Sequence, residues 1–357
     1  MISRDKYLSL TPEERFVPLS PSEKDRADEL FEKSVKVDLH THIFGSVHFE
    51  WNENIRKLVE NSGIDGCFEA VPCLNEDFAE TTAIIGRYRS IVEKEPGLVS
   101  AFTAADVRKA KKEGKQAILY QLEPWSGRRN LDLVDVAYGL GFRMILLTFN
   151  TRTYIGDGCA EKTNAGLSYL GLELVERLNK AGILVDLSHC GVQTALDAIE
   201  HSKDPCLFNH TGARALNKPV GRLRTDNEFQ AIAEKGGMIG ISAIPNQLSS
   251  KPEQSIEDHL NHIDYIVELV GINHVVIGLD NVFDDQVENH RKMDKESKGL
   301  NRKRDGMVLT APYIFGLEAP DEWENIVRGL VKHGYSDSDI KKIIGENALK
   351  IIEKVVG

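Results

Sequence analysis

The sequence predicts an α/β chain closed into a single (β/α)8 TIM barrel, and three observations carry that expectation. Short, nearly continuous apolar runs such as AILYQL, MILLTF and VVIGL read as strands buried on both faces of a parallel sheet. Longer stretches with helical spacing separate them, and the alternation repeats eight times along 357 residues. No Pro/Gly/Ser linker, low-complexity tract or short internal repeat divides the chain. One large domain is therefore expected over residues 35–357, after a charged helical or extended lead-in over 1–34.

In order, the expected strands are residues 35–40, 66–73, 117–123, 143–149, 184–189, 205–210, 238–243 and 274–280. The expected helices span 75–93, 106–113, 167–180, 192–201, 226–235, 256–270, 321–333 and 336–355. LSYLGLELVERLNK places apolar residues at i, i+3, i+4 and i+7, and Gly182 follows as a stop signal. The last helix opens on SDSD, a favourable N-terminal cap. Residues 284–304 are densely charged and almost free of aliphatics, so an exposed loop is expected after the eighth strand.

Composition narrows the function classes. A hydrophobic fraction of 41% beside 28% charged residues suits a globular chain able to bury a large core. The formal charge of -11 argues against nucleic acid as a partner, because phosphate binding wants a basic stripe. No run of about 20 apolar residues is available to span a bilayer. The charged first 33 residues lack the apolar core of a signal peptide. Five cysteines, odd in number and without a CxxC pair, suit a reduced, cytoplasmic chain.

The polar residues fall where apolar runs stop. VDLHTH gives His40 and His42, LYQLE gives Glu123, VDLSH gives His189, LFNH gives His210 and VIGLD gives Asp280. In a barrel of this kind the C-terminal strand ends converge on the face that carries the chemistry. Four histidines and two carboxylates there supply nitrogen and oxygen ligands for zinc-like divalent ions. His40 and His42, two apart on a strand, share a face and are placed to chelate together. Surface roles are expected for the remaining histidines, His48, His201, His259, His262, His274, His290 and His333. Asp38 and Asp186, just before strand-end histidines, are the right type to orient ligands or to serve the barrel wall.

These residues, in this order, resemble the membrane dipeptidase (renal dipeptidase) family of zinc metallopeptidases, which have amidohydrolase-type barrels. The likeness is carried by LTFNTRTYIGDGCAEKTNAGLSYLGLELVERLNKAGILVDLSHCG, by FNHTGARAL and by FGLEAPDEWENIVRGLVKHGYSDSDIKKIIGENALKII. It runs from about Val35 onward. The resemblance implies two ions, His40 and His42 on the first, Glu123 bridging, and His189 and His210 on the second. It implies Asp280 as acid/base and Arg222, in GRLRTD, as the holder of a substrate carboxylate, with Arg224 a rival. A homodimer is typical of such proteins.

Three positions depart from the family pattern. His42 stands where HxD is usual, Phe149 stands where LTH places a histidine, and Pro-Trp follows Glu123 in place of Gly-Gly. Asn150, Arg152 or Tyr154 are candidates to position the scissile group in place of that histidine. The implied activity is hydrolysis of a dipeptide, D-residues at the C-terminal position included. Two bridged ions would acidify a water from 15.7 towards about 7 for attack on the amide. The same metal site acting on an N-acyl amino acid, a lactam, a lactone or another small amide is the rival reading, and a catalytically silent small-molecule-binding barrel is a further one.

Overall fold

A computed structural model describes residues 9–45, 51–73, 77–217, 220–283 and 314–357. The charged 284–304 segment, His48 and His290 lie outside the described residues.

Eight parallel strands close on themselves. They are β1 (Val37–His42), β2 (Gly66–Pro72), β4 (Gln116–Glu123), β5 (Phe142–Leu146), β6 (Leu184–Asp186), β7 (Leu207–Thr211), β8 (Met238–Ile241) and β9 (Val275–Ile277). Closure comes from β9 pairing with β1, with Asp38 opposite Ile277. Each of the eight strands gives a buried side chain to one cluster: Leu39, Phe68, Leu119, Met144, Leu184, Leu207, Met238 and Val276. That is the packing of a barrel filled by its own side chains. Ala348, Leu349, Ile351 and Ile352 of the C-terminal helix (Asn347–Val355) join the cluster.

Two short strands fall outside the expected eight. β3 (Leu98–Ser100) pairs with β4, and β10 (Asn281–Val282) pairs with β1 just beyond Asp280. Strand ends also sit earlier than the apolar runs suggest. Residues 187–189 and 278–280 leave the ladder although they were expected within strands. β1 does the reverse and carries on to His42, held by pairing of Thr41 and His42 with β10.

Helices 192–201 and 256–270 form with the expected bounds. Helix Pro21–Lys33 is the helical form of the expected lead-in, whereas helices at Glu53–Ser62 and Leu133–Leu140 go beyond what spacing predicts. The first has a capping box, with Ser20 and Glu23 each satisfying the other's backbone. The lead-in is tied to the C-terminal part of the chain. Arg15 pairs with Glu322 at 2.8 Å, Asn325 Oδ1 accepts from Val17 N–H at 2.7 Å, and Arg328 donates to the Val17 carbonyl at 3.0 and 3.1 Å. The C-terminal helical stretch is interrupted by a π-turn at Lys342–Glu346.

Candidate metal centre

β1, β4 and β7 and the turns after β6 and β9 bring all six strand-end residues together. Their nitrogen and oxygen atoms form three overlapping sets in which every ligand atom lies within 4.8 Å of the others: His40/His42/Glu123, His40/His210/Asp280 and Glu123/His189/His210. His40 Nε2 is 3.4 Å from Glu123 Oε2 and 3.5 Å from Asp280 Oδ1. His42 Nε2 sits 3.1 Å from Asp280 Oδ1. On the far side His189 Nε2 is 3.6 Å from Glu123 Oε1, and His210 Nε2 is 3.8 Å from Asp280 Oδ2. Glu123 thus reaches both histidine pairs.

Local chain geometry explains the placement. Gly240 on β8 and Gly278 after β9 leave room for β7: a Cβ at either would overlap the Asn209 carbonyl. Asp280 adopts φ +62°, a left-handed conformation rare outside glycine, while its N–H donates to the His40 carbonyl at 3.0 Å. Backbone held in such a region by its surroundings is a mark of functional sites.

The donor set fits divalent ions. His40 Nδ1 faces Gln121 Oε1 at 2.8 Å, and His189 Nδ1 faces Asn150 Oδ1 at 2.8 Å. His210 Nδ1 faces Asn209 Oδ1. With these amide oxygens as its acceptors each Nδ1 carries the hydrogen and each Nε2 presents a bare lone pair, the Asn209 amide nitrogen lying 3.0 Å from His40 Nδ1 being turned to other acceptors. His40 Nε2 is buried with no hydrogen-bond partner among the described residues, and the Nε2 atoms of His189 and His210 face each other at 3.0 Å. Buried lone pairs opposed in this way call for a cation.

Charge follows the same logic. Burial raises the Glu123 carboxyl to about 8, with Asp280 and Asp186 adding to the shift and His42 opposing it. Burial works against charge on His42, but its hydrogen bond to Asp280 and the fields of Asp280 and Glu123 outweigh this and raise it to about 9. Burial lowers His40 to about 3. Asp280 resists its own burial and stays below the usual range, held by His42, His40 and Arg222.

In the metal-free chain, Glu123 and His42 bind protons more tightly folded than unfolded. That stabilisation is lost as the pH rises through about 8 for Glu123 and about 9 for His42, so part of it goes between pH 7 and 8. Divalent ions compete for the same atoms and are favoured as the protons leave. The melting temperature of the metal-free chain is expected to fall from pH 7 to 8, and added Zn2+ to raise it more at pH 8. Calorimetry at the two pH values checks this; a melting temperature that rises without metal would contradict it.

The other sequence-derived candidates separate clearly. Arg222 is buried beside the cluster; one N–H donates to the His210 carbonyl at 2.8 Å, while Nε and Nη1 have no partner among the described residues. Arg224 is spent, paired with Glu228 at 3.1 Å and donating to Cys190 and Arg222 carbonyls. Asn150 orients His189. Arg152 is committed to Asp157 and Thr163. Tyr154 has an exposed ring with the Arg129 guanidinium stacked on it, 4.7 Å from its centroid, and its carbonyl accepts from Ser168. Among the described residues no contact joins its side chain to the cluster. Phe149 stacks on His189 with centroids 4.1 Å apart.

The expectation of surface roles fails for His259 and His262. Both are buried on the inner side of helix 256–270: His259 bonds the Ser242 carbonyl, and His262 links Ala213 N–H to the Leu248 carbonyl. Asp38 accepts from the N–H groups of His40 and Leu279, tying the two ligand strands together. Gln121 and Asn209 escaped sequence reasoning. The available signal was an amide residue at the end of an apolar run, Gln121 two before Glu123 and Asn209 directly before His210.

A closed parallel barrel with His and carboxylate ligands converging at its C-terminal face defines a metal-binding barrel of the amidohydrolase type. The model of the membrane dipeptidase family (peptidase family M19) matches residues 25–298, and the chain belongs to that family. Dipeptidase tcpJ of Claviceps purpurea is 27% identical over 259 residues, covering 71% of this chain and 55% of that protein. The chain spans about half the length of the curated relatives it matches. An amidohydrolase from Pseudomonas aeruginosa superposes with a TM-score of 0.81 at 27% identity, over 93% of this chain and 99% of that one. A Rhodobacter sphaeroides metallopeptidase shares the fold at a TM-score of 0.73 and 20% identity, over 90% of this chain and all of its own.

Proposed function

We propose that the chain is a metal-dependent dipeptidase holding two divalent ions, zinc by ligand type, on His40, His42, Glu123, His189 and His210. The single observation that carries the substrate class is Arg222. A buried guanidinium with two unpartnered nitrogens beside a metal-ligand cluster is built to receive a carboxylate, and charge-assisted pairing there is strong. A free carboxylate held at a fixed distance from the ligands selects very short peptides.

Bound ions supply Lewis acidity and acidify water. The protein does the rest. Asp280, kept ionised and hydrogen-bonded to His42, accepts the proton released during attack and returns it to the leaving amine. Asn150 holds the His189 ring, and Phe149 covers it with an apolar face. The four buried cysteines, with Cys159 half-buried, suit a reducing, cytoplasmic setting.

Phe149 also favours a second reading, an N-acyl amino acid, whose apolar acyl group would lie on that face while Arg222 takes the carboxylate. Metal-replete assays with L,L- and L,D-dipeptides, N-acyl amino acids and lactones separate the two. The Rhodobacter relative was solved with a phosphinate mimic of L-Ala-D-Ala, which makes L,D-dipeptides part of the panel. Dipeptides are expected to give the highest kcat/KM; faster turnover of N-acyl amino acids or lactones would overturn the assignment. Arg222→Met is expected to lower kcat/KM about 10–100-fold, mostly through KM, for substrates with a free C-terminal carboxylate. An equal loss on carboxamide-capped substrates would contradict its role.

A further inference from the structure

Beneath the ligands, at the end of β6, lies a carboxylate that touches none of them. Asp186 is fully buried and takes all four of its hydrogen bonds from neutral donors. Oδ2 accepts from Gln121 Nε2 at 2.9 Å; Oδ1 accepts from Ser188 N–H at 3.1 Å, Ser188 Oγ at 2.6 Å and Asn209 N–H at 3.1 Å. Among the described residues no basic group bonds it. Burial pushes its carboxyl up, with its hydrogen bonds and the field of Arg222 opposing. A carboxylate held this way is costly, so its retention asks for a reason.

The hydrogen count supplies one. Because Asp186 only accepts, Gln121 must point its amide nitrogen at it, and this turns Oε1 toward His40 Nδ1 at 2.8 Å and Asn209 Nδ2 at 2.7 Å. Asn209 Nδ2 has two hydrogens and four neighbours, Gln121 Oε1 at 2.7 Å, the Leu39 carbonyl at 3.1 Å, His40 Nδ1 at 3.0 Å and Met144 Sδ at 3.3 Å. With His40 Nδ1 donating to Gln121 Oε1, the two oxygens take the hydrogens. Its Oδ1 is then fixed opposite His210 Nδ1 and 2.7 Å from Ser188 Oγ, whose single hydrogen is shared between Asn209 Oδ1 and Asp186 Oδ1. One carboxylate thus orients two amides, and the two amides put acceptors opposite the Nδ1 atoms of two ligands on different strands. Reversing either amide would set a donor against Nδ1, move the hydrogen to Nε2 and remove the lone pair that ligates.

We propose that Asp186 is the positioning residue of the metal centre: acting through Gln121 and Asn209, it locks His40 and His210 in the tautomer that binds metal. This rests on the reading of the site as a divalent-metal centre. Supporting residues of this kind are worth about 10–100-fold in metal affinity.

The test uses the full chain and Zn2+, with affinity measured by competition against a chromophoric chelator. Asp186→Asn keeps the shape but lets the introduced amide nitrogen face Gln121, which favours the reversed Gln121 amide. Affinity is expected to fall about 10–100-fold. Adding Gln121→Glu to that variant should restore it, because a carboxylate at 121 accepts from both the new amide and His40 Nδ1. Undiminished affinity in Asp186→Asn overturns the proposal. So does a loss that Gln121→Glu leaves unrepaired while far-ultraviolet circular dichroism shows both variants folded. If Asp186→Asn does not fold, Gln121→Met carries the test: it removes the acceptor opposite His40, and parental affinity in it overturns the proposal. A parental chain that binds no Zn2+ would instead end the reading of the site itself.

Discussion

Replacing Asp280 by Asn is expected to lower turnover by about 10²–10⁴-fold, the range for loss of a positioned proton carrier. Asn keeps the shape and one acceptor oxygen, so His42 retains a partner for its Nε2, which sits 3.1 Å from Asp280 Oδ1 in the parent. What disappears is the basic site. Burial alone would make Asp280 a poor anion, and His42, His40 and Arg222 together keep it ionised. The φ of +62° at this residue is preserved, since Asn tolerates the left-handed region as well as Asp does. Steady-state kinetics beside metal analysis checks the expectation. Wild-type turnover would remove Asp280 from the chemistry. A parallel loss of bound metal would make it a ligand instead, which its place in the His40/His210/Asp280 set leaves room for.

His210→Ala is expected to have the second large effect, on metal binding itself. His210 belongs to two of the three ligand sets and stacks on His40 with ring centroids 3.8 Å apart. Its removal should cost more than the 10–100-fold typical of supporting residues and release at least one ion. The metal-free variant is informative as well. Removing the ring relieves the opposed Nε2 lone pairs at 3.0 Å, so the metal-free melting temperature should change little, while the increment given by Zn2+ collapses. Scanning calorimetry with and without Zn2+ separates these. An undiminished metal-dependent increment would show that His210 binds no ion.

The barrel and the convergence of the six candidate ligands were legible for one physical reason. Parallel strands buried on both faces read as apolar runs, and in this fold the residue ending such a run lands on the functional face. His40, Glu123 and His210 each end a run, and the turns after β6 and β9 carry His189 and Asp280 to the same place. Helices 53–62 and 133–140 were not legible. Each is short, and LVDVAYGL is apolar enough to blur its period. Their order comes from packing against the barrel rather than from intrinsic preference.

Depth was the other blind spot. His259 and His262 lie on a helix whose polar residues look solvent-facing, yet loops after β7 and β8 fold over them and satisfy their nitrogens from backbone groups. Gln121 and Asn209 belong to the site through hydrogen-bond direction, which residue order does not record. Tyr154 was drawn in by its nearness in sequence to Phe149, but the intervening loop carries its ring to the surface, against Arg129.

The most direct test is X-ray absorption at the zinc edge on metal-reconstituted protein, with stoichiometry from elemental analysis. About two equivalents per chain, surrounded by nitrogen and oxygen scatterers at about 2.0–2.2 Å, are expected. A zinc shell containing sulfur at about 2.3 Å, or a chain that retains no zinc, would contradict a centre built from His40, His42, Glu123, His189 and His210.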